Sequence, residues 1–324
     1  MLKNNNANKR INQLLSLLLI FSLFLLPLSG CSQPKAQMTV RIGYEAILSD
    51  LTFFVAQEKG FFESEGLTVE TVEFKTTNDQ MVALLSDNVD MVPNSSMVLI
   101  LAAEIEQPGQ FQIFIAHGDL GNKLLVPVDS SITSVEQLSG EKVGTFPGTT
   151  MLTYCELSLK SYFNGSPQPE FIGMAPPILV DALSTNQVTA ILVPDPVATI
   201  ALNSGVAREL LDNPLGNVIT PFMGGASLLR SDYVENNPTA AAAVVRAMDR
   251  AVQFIQDNPS EAVTIFASHT NNSADLIAGI NIGHSWTLSS MDREAFQDLA
   301  DILYNAGLVS SQVDTKTLYY DGLK

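Results

Sequence analysis

The feature that most constrains the fold is an internal correspondence between two halves of the chain. Thr39 to Tyr44 reads as an alternating strand followed by a turn, and Glu141 to Phe146 has the same pattern about 100 residues later. A second match has nearly the same offset. Ala83 to Asn94 and Ala182 to Asp195 each read as a helix end, a polar turn, a buried strand and a polar residue at the strand's carboxyl end. Two matches in register predict two similar α/β lobes, and the period is too long for a solenoid.

Strand and helix patterns alternate within the first half. Apolar spacing predicts a helix over Leu51 to Phe61, alternation predicts a strand over Val69 to Phe74, and a second helix follows over Gln80 to Leu85. This strand–helix–strand order is typical of largely parallel sheets. We therefore expect a ligand crevice at the carboxyl ends of the strands.

The last third of the chain reads mostly as helix. Pro238 stands at a favourable helix start, and apolar residues recur with helical spacing as far as Ile255. A second helix is predicted from Asp292 to Asn305, with Gly307 placed to end it. We expect these helices to pack on the sheet of the first lobe.

Residues 1–30 predict an export signal. Three positive residues precede a nearly unbroken apolar run from Leu14 to Leu26, and small residues lead to Cys31. The ending Leu28-Ser29-Gly30-Cys31 resembles a bacterial lipobox, which makes Cys31 the lipid-bearing first residue of the mature protein. An ordinary signal peptide with a chance cysteine is the alternative. Residues 31–36 then read as a short polar tether.

The charge balance excludes some classes of partner. Removing the leader takes away three of the 17 Lys and Arg residues and none of the 34 Asp and Glu residues, which leaves a net charge of about −20. Such acidity argues against nucleic acid as a partner.

The chain has few cysteines and histidines, the residue types that most often form disulfides or bind metals. With Cys31 lipidated, only Cys155 remains, and it lies on an apolar helical face; no intramolecular disulfide is therefore possible. The spacing of His117, His269 and His284 fits no metal motif, and the chain has no phosphate-binding loop. We expect neither a metal nor a cofactor, and ATP hydrolysis would belong to a partner.

Four stretches of the mature chain, taken in order, carry a family resemblance. They are VRIGYEAILSDLTFFVAQEKGFFESEGLTVE (Val40 to Glu70), VDMVPNSS (Val89 to Ser96), SVEQLSGEKVGTFPGTT (Ser134 to Thr150) and ALSTNQVTAILVPDP (Ala182 to Pro196). Together they resemble the solute-binding proteins of ABC importers, in the nitrate, sulfonate, taurine and thiamine-pyrimidine group. The resemblance covers essentially the whole mature chain.

The resemblance implies a periplasmic-binding-protein fold of type II. In that fold two α/β lobes are joined by two crossing strands, and the ligand cleft lies between the lobes. Mapped onto this chain, lobe 1 is 37–118 plus 224–324 and lobe 2 is 119–223. The crossing strands are expected at Leu124 to Val128 and at Val218 to Phe222.

The resemblance also implies that the loops facing the cleft contact the ligand. The implied contacts are Tyr44, Glu45, Lys75, Thr76, Thr77, Asn94, Ser95, Ser96, His117, Gly148, Thr149, Thr150, Asp195, Gly224 and Gly225. The loop from Gly148 to Thr150 opens a predicted helix, and Asn94 to Ser96 opens another, so that free N–H groups would favour an anion. A threonine could instead only cap its own helix.

Other residues near the cleft oppose an anion. Glu45 and Asp195 would repel one and favour an amine or an N–H-rich heterocycle, unless Asp195 only accepts backbone hydrogen bonds and Glu45 is only solvated. Lys75 and His117 are the nearby candidates for positive charge, with Lys75 as a solvated loop residue the simpler reading. The charge of the solute is left open.

The expectation is a lipid-anchored binding protein on the outer face of the cytoplasmic membrane. It would act as a monomer, make and break no bond, and deliver a sulfonate-like anion or a pyrimidine-like heterocycle to an ABC permease and its ATPase. Two alternatives stay open. One is an enzyme on the same fold acting on a small heterocyclic metabolite, and the other is a sensory lipoprotein without a transport partner.

Overall fold

Two mixed sheets organise the part of the chain that the structure describes. The computed structural model describes residues 38–118, 120–270, 272–273 and 275–322, apart from the side chain of Thr149. These residues belong to one compact unit, 38–324. The leader 1–30, the tether 31–36 and the lipidation candidate Cys31 lie outside the described residues.

The first sheet has six strands drawn from both ends of the described chain. In sheet order these are β2 (Leu67–Glu73), β1 (Met38–Tyr44), β3 (Met91–Ser96), β10 (Gly225–Arg230), β4 (Phe111–His117) and β11 (Ser285–Thr287). Strands β2, β1 and β3 are parallel, whereas β10 runs antiparallel to both of its neighbours. The parallel strands end at the edge where Tyr44, Ser96 and His117 lie.

The second sheet has five strands, all from the middle of the chain. In sheet order these are β7 (Glu170–Gly173), β6 (Lys142–Thr145), β8 (Ala190–Val193), β5 (Lys123–Pro127) and β9 (Ala207–Asp212). It repeats the plan of the first sheet: β7, β6 and β8 are parallel, and β5 is antiparallel to β8 and β9. The fold class expected from the internal correspondence, two similar α/β halves, is confirmed.

The predicted crossing strands need a correction. Leu124 to Val128 falls mainly on β5, which lies inside the second sheet, and Val218 to Phe222 forms no strand. The apolar residues of this second stretch are interrupted by Pro221, which has no N–H to donate to a strand ladder. The chain instead passes between the sheets through irregular segments, one before β5 and one before β10.

Eleven helices are described, and the longest is in the C-terminal third. They are α1 (Leu51–Glu58), α2 (Phe61–Ser64), α3 (Thr77–Leu85), α4 (Met97–Glu106), α5 (Thr149–Leu159), α6 (Pro176–Ser184), α7 (Val197–Asn203), α8 (Ser231–Asn236), α9 (Pro238–Asp257), α10 (Pro259–His269) and α11 (Arg293–Asn305). Short 3₁₀ turns cover Leu48–Asp50, Val135–Leu138, Lys160–Phe163, Pro214–Asn217 and Thr315–Leu318. The helix expected over Leu51 to Phe61 divides at Gly60, whose φ of +65° interrupts the helix. None of the helices in the described ranges is long and apolar enough to cross a membrane.

The C-terminal helices cover the first sheet, as the sequence predicts. The apolar face of α9, with Val244 and Met248, shares one buried core with Val40 and Ile42 of β1. Helix α11 shares a second core with α4, and its Phe296 is fully buried there. Burying such a side chain contributes about 1.5–3 kcal/mol relative to leaving it in water. Together these two cores hold the first sheet between layers of helices.

Candidate functional site

Two adjoining cavities lie where elements of the two sheets meet. The inner cavity has a volume of about 190 Å³ and the outer cavity about 720 Å³. Both have walls from loops and helices of each sheet, and they share Leu48, Ser49, Leu120 and Pro194. Residues at the carboxyl ends of β3, β4 and β8 reach these walls, which is where α/β sheets place ligands.

Polar and apolar residues share the walls of the inner cavity. The polar residues are Ser49, Thr52, Asn94, Ser96, His117, Asn122, Tyr154, His284 and Ser285. The glycines are Gly118, Gly224, Gly225 and Gly283, and the apolar residues are Leu48, Leu51, Leu120, Met151, Pro194, Leu215, Phe222, Ile255 and Ile282. Among these described residues there is no Asp, Glu, Lys or Arg.

The β3 loop and the chain that returns before β10 meet at the inner cavity. Asn94, Ser96, Gly224 and Gly225 all line it. A Cβ on Gly225 would lie 2.5 Å from Asn94 Oδ1 and 2.9 Å from the carbonyl oxygen of Ser95. Glycine is therefore required for β10 to approach the end of β3 this closely.

The serines of the β3 loop have different positions. The Ser96 hydroxyl accepts a hydrogen bond of 3.4 Å from Leu99 N–H and so caps α4. Ser95 is fully buried, and it is absent from the described walls of both cavities.

His117 lines the inner cavity as a neutral ring. Its Nε2 lies 2.9 Å from the Pro93 carbonyl oxygen, so Nε2 carries the proton and donates it there, and Nδ1 accepts from the Ser285 hydroxyl at 2.9 Å. Burial lowers the pKa of His117 to about 4, although the bond to Pro93 opposes this shift. Both ring nitrogens are thus engaged by the protein, and His117 brings no positive charge at neutral pH.

Three predicted residues of the loops after β1 and β2 make their contacts away from the described cavity walls. The Thr77 hydroxyl donates to Glu45 Oε1 at 2.8 Å, and Thr76 caps α3 by accepting from Asp79 N–H at 3.1 Å. Burial raises the pKa of Glu45, and the bond from Thr77 partly offsets this. Glu45, Thr76 and Thr77 are absent from the described walls of both cavities.

Tyr44 and Lys75 also lie away from the cavities. The Tyr44 ring packs 5.1 Å from that of Phe53, between ring centres, in the aromatic core beneath α1. The Lys75 side chain is 84% exposed and its Nζ bonds Glu73 at 2.6 Å, which agrees with the simpler reading of a solvated loop residue.

Helix α5, which follows the loop at Gly148, lines the inner cavity with residues other than the predicted ones. The N-cap is Gly148, with a φ of +111°, and the helix begins at Thr149, so neither threonine is the cap. Gly148 is exposed, and neither Gly148 nor Thr150 is among the described wall residues of these two cavities; the side chain of Thr149 is outside the described part. Met151 and Tyr154, three residues apart on one helix face, line the inner cavity instead.

Asp195 lies on the wall of the outer cavity, and both of its carboxylate oxygens accept hydrogen bonds from backbone N–H groups. Its Oδ1 accepts from Thr199 N–H at 2.9 Å and its Oδ2 from Asn281 N–H at 2.6 Å. Burial raises the pKa of Asp195, and these hydrogen bonds act in the opposite direction. Because Asn281 precedes β11 of the first sheet, Asp195 joins elements of both sheets.

Sequence reasoning missed two hydroxyls of the inner cavity. Thr52 in α1 and Tyr154 in α5 are 2% and 5% exposed, and neither hydroxyl has a hydrogen-bond partner within the described part of the chain. Tyr154 lies one helical turn after Thr150, so helical spacing from the predicted loop could have indicated it. No comparable local signal marks His284 and Ser285, which reach the cavity from a distant part of the sequence.

The single described cysteine lies outside both cavities. Cys155 is fully buried, and burial raises the pKa of its thiol to about 12. The prediction that it belongs to the core is confirmed. Within the described ranges no group of three His, Cys, Asp or Glu side chains is placed to hold a metal ion.

Comparison with known proteins identifies the family. The model of the NMT1-like family matches residues 33–268, well over half of the chain. This chain belongs to the NMT1-like family. The resemblance carried by the four sequence stretches is thereby confirmed.

Relatives of this NMT1-like protein are named as binding proteins. It is 23% identical over 300 residues to a Bacillus subtilis protein named as a candidate aliphatic sulfonates-binding protein, covering 89% of this chain and 88% of that one. It is 25% identical over 208 residues to the taurine-binding periplasmic protein of Escherichia coli, covering 63% of each chain. The crystal structure of the periplasmic aliphatic sulphonate-binding protein SsuA of Escherichia coli superposes with a TM-score of 0.73 at 19% identity, covering 87% of this chain and 92% of that one. This structural match supports the periplasmic-binding-protein fold.

Proposed function

We propose that this protein is the solute-binding component of an ABC importer. It captures a small solute between its two sheets and delivers it to a membrane permease, whose ATPase partner supplies the energy. The observation that carries the proposal is the inner cavity, because its walls come from elements of both sheets. The names of the relatives, which describe binding of sulfonates and taurine, support it.

A cavity with walls from two α/β halves suits hinged closure. We assign 37–118 with 224–324 to lobe 1 and 119–223 to lobe 2, so that the irregular passages between the sheets serve as the hinge. The solute must bind the closed form more tightly than the open form, since otherwise closure has no driving force. A permease can then recognise the closed lobes.

The predicted export leader, residues 1–30, indicates where the protein acts. A lipid on Cys31 and the tether 31–36 would hold the protein as a monomer at the outer face of the cytoplasmic membrane. Two or more acyl chains suffice for stable anchoring. The strongly acidic mature chain is suited to such a tethered position, away from anionic lipid.

Three groups that could serve an enzyme are either hydrogen-bonded by the protein or buried away from the cavities. His117 uses both ring nitrogens, Asp195 accepts two backbone N–H groups, and the Cys155 thiol is buried outside the cavities. These contacts favour binding over catalysis on this fold. A sensory role without transport would be favoured only if no permease and ATPase genes accompany this one.

Binding is tested by a thermal-shift screen of the purified chain. The panel contains taurine, alkanesulfonates, nitrate, aminopyrimidines and polyamines, and a ligand at 100 times its Kd adds about 2.7 kcal/mol to the free energy of unfolding. Each hit is recovered afterwards by mass spectrometry and should be chemically unchanged. A product of altered mass would instead show an enzyme, and a panel without a hit would contradict the proposal.

A matched pair of variants locates the site. Asn94→Ala should weaken binding of any hit several-fold, because Asn94 lines the inner cavity. Asn305→Ala, at the exposed end of α11, should leave binding unchanged. Equal effects of the two changes would contradict the location.

A further inference from the structure

Two unpaired hydroxyls identify the kind of polar group that the inner cavity accepts. Thr52 Oγ1 and Tyr154 Oη are buried on its walls, in helices that pack with different sheets, and have no hydrogen-bond partner within the described residues. Hydroxyls both donate and accept hydrogen bonds. Burial raises the pKa of Tyr154, which keeps its proton in place at neutral pH. A bound group that itself donates and accepts would satisfy both.

The charges around the two cavities disfavour an anion. The walls of the outer cavity carry two carboxyls, Asp181 and Asp195, and neither described wall carries Lys or Arg. His117 is held neutral by its hydrogen bonds, so the exposed His284 is the remaining basic wall residue. An ionised sulfonate would lose its hydration here without gaining a cationic partner.

The helix N-termini at the inner cavity do not replace a cation. Helix α1 directly continues the 3₁₀ turn Leu48–Asp50, and its first N–H group, that of Leu51, donates to the Leu48 carbonyl oxygen. The hydroxyl of Ser96 already accepts a hydrogen bond from an N–H group of α4, that of Leu99. In both helices, therefore, part of the hydrogen-bonding capacity of the first-turn N–H groups is already used within the protein.

The sizes of the cavities define the shape of the solute. The inner cavity, at about 190 Å³, is somewhat larger than the roughly 150 Å³ space that holds one benzene molecule. The outer cavity, at about 720 Å³, adjoins it through four shared residues and is lined largely by apolar side chains, among them Phe146, Val180 and Phe266. A molecule that fills both has a ring-sized polar part and an apolar extension.

We propose that the solute is uncharged and elongated, with a ring-sized polar part held in the inner cavity by Thr52 and Tyr154 and an apolar extension in the outer cavity. The inference rests on the proposed function and names its substrate class. It assigns this protein a solute chemistry different from the sulfonate anions for which its relatives are named.

Four matched probes measure separately how the charge and the length of a ligand affect its affinity. They are benzenesulfonate, benzenesulfonamide and their 4-butyl derivatives, and their Kd values are measured by calorimetry with the purified chain. Each sulfonamide should bind at least about ten-fold more tightly than the sulfonate of the same length, because the amide has the same shape without the charge. The butyl group should tighten sulfonamide binding by up to roughly four-fold for each methylene that leaves water.

A pair of variants on α6 tests the outer cavity. Val180→Trp fills part of it, since Val180 is on its wall, and should reduce the ratio of butyl to unsubstituted affinity to about one. Ile178→Trp lies on the same helix at an exposed position outside the walls and should keep the ratio of the parent protein.

The outcomes distinguish this inference from the function on which it rests. Tighter binding of the sulfonates would overturn the uncharged class while leaving a solute-binding protein. A butyl group without effect, or an unchanged ratio in Val180→Trp, would overturn the extension into the outer cavity. If neither sulfonamide binds while a compound of the broad screen does, the inference fails alone; if no compound of either panel binds, the proposed function fails as well.

Discussion

Removing the two unpaired hydroxyls should affect ligand binding and protein stability in different directions. Both variants keep nearly the same side-chain shape: Tyr154→Phe deletes only the hydroxyl, and Thr52→Val replaces it with a methyl group. The Tyr154 ring packs edge-on against Phe222 with 5.1 Å between ring centres, and phenylalanine preserves that contact. Both hydroxyls are buried without a partner in the described residues.

The expected magnitudes follow from this environment. A buried polar group without a hydrogen bond costs about 1–3 kcal/mol, and its replacement by an apolar group of the same shape is neutral or stabilising. Each variant should therefore match the parent protein in stability without ligand or exceed it by up to about 1 kcal/mol, which is roughly 2–4 °C in Tm. Each should also lose a ligand hydrogen bond of about 0.5–1.5 kcal/mol, a two- to twelve-fold weaker affinity.

The assay compares thermal unfolding without ligand and calorimetric affinity for the best sulfonamide probe. Tyr304→Phe, on an exposed part of α11, is the control and should change neither quantity. A lower Tm combined with unchanged affinity would show that the hydroxyls support the fold. That result would refute their assignment to the solute.

Three further predictions concern other parts of the chain. Gly225→Ala should lower stability by about 1–3 kcal/mol and weaken binding, because its Cβ would lie 2.5 Å from Asn94 Oδ1; unfolding and calorimetry measure both effects. Burial raises the pKa of Asp249 to about 6 from 3.8, so its ionisation destabilises the fold as the pH rises through 6. Asp249→Asn should therefore raise the free energy of unfolding at pH 8 by about 1–2 kcal/mol, allowing for the partial exposure of the side chain, and by much less at pH 4; thermal unfolding at the two pH values measures the difference. Cys31→Ser should move the protein from the membrane fraction to the soluble fraction of fractionated cells.

Much of the secondary structure could be read from local patterns. The strands near Val40, Val69 and Val143 and the helices α9 and α11 all form close to their predicted positions, because periodicity reports directly which face is buried. The crossing segments could not be placed in this way. Apolar residues such as Phe222 are buried there without regular strand pairing, so a strand-like composition did not mark a strand.

The predicted residues reach the inner cavity where the backbone itself forms the wall. Asn94, Ser96, Gly224 and Gly225 meet at the inner cavity because strand ends and close glycine contacts place them there. The prediction was less informative where side-chain direction decides the contact. The Glu45 carboxyl accepts from Thr77, and Asp195 accepts backbone N–H groups, although both follow strands that end near the cleft.

By itself, the sequence determined the plan of two similar α/β halves and the strands whose ends reach the cavities, and it predicted an export leader. These properties depend on hydrophobic periodicity, turn residues and an internal match, which are all local in the chain. Only the tertiary structure decided the chemistry of the cavity. It brought Thr52, Tyr154 and His284 from distant segments onto one wall surface, and it turned Lys75 toward Glu73 in solvent. Ligand charge depends on which side chains converge in three dimensions and which are already paired, and neither property is encoded in local spacing.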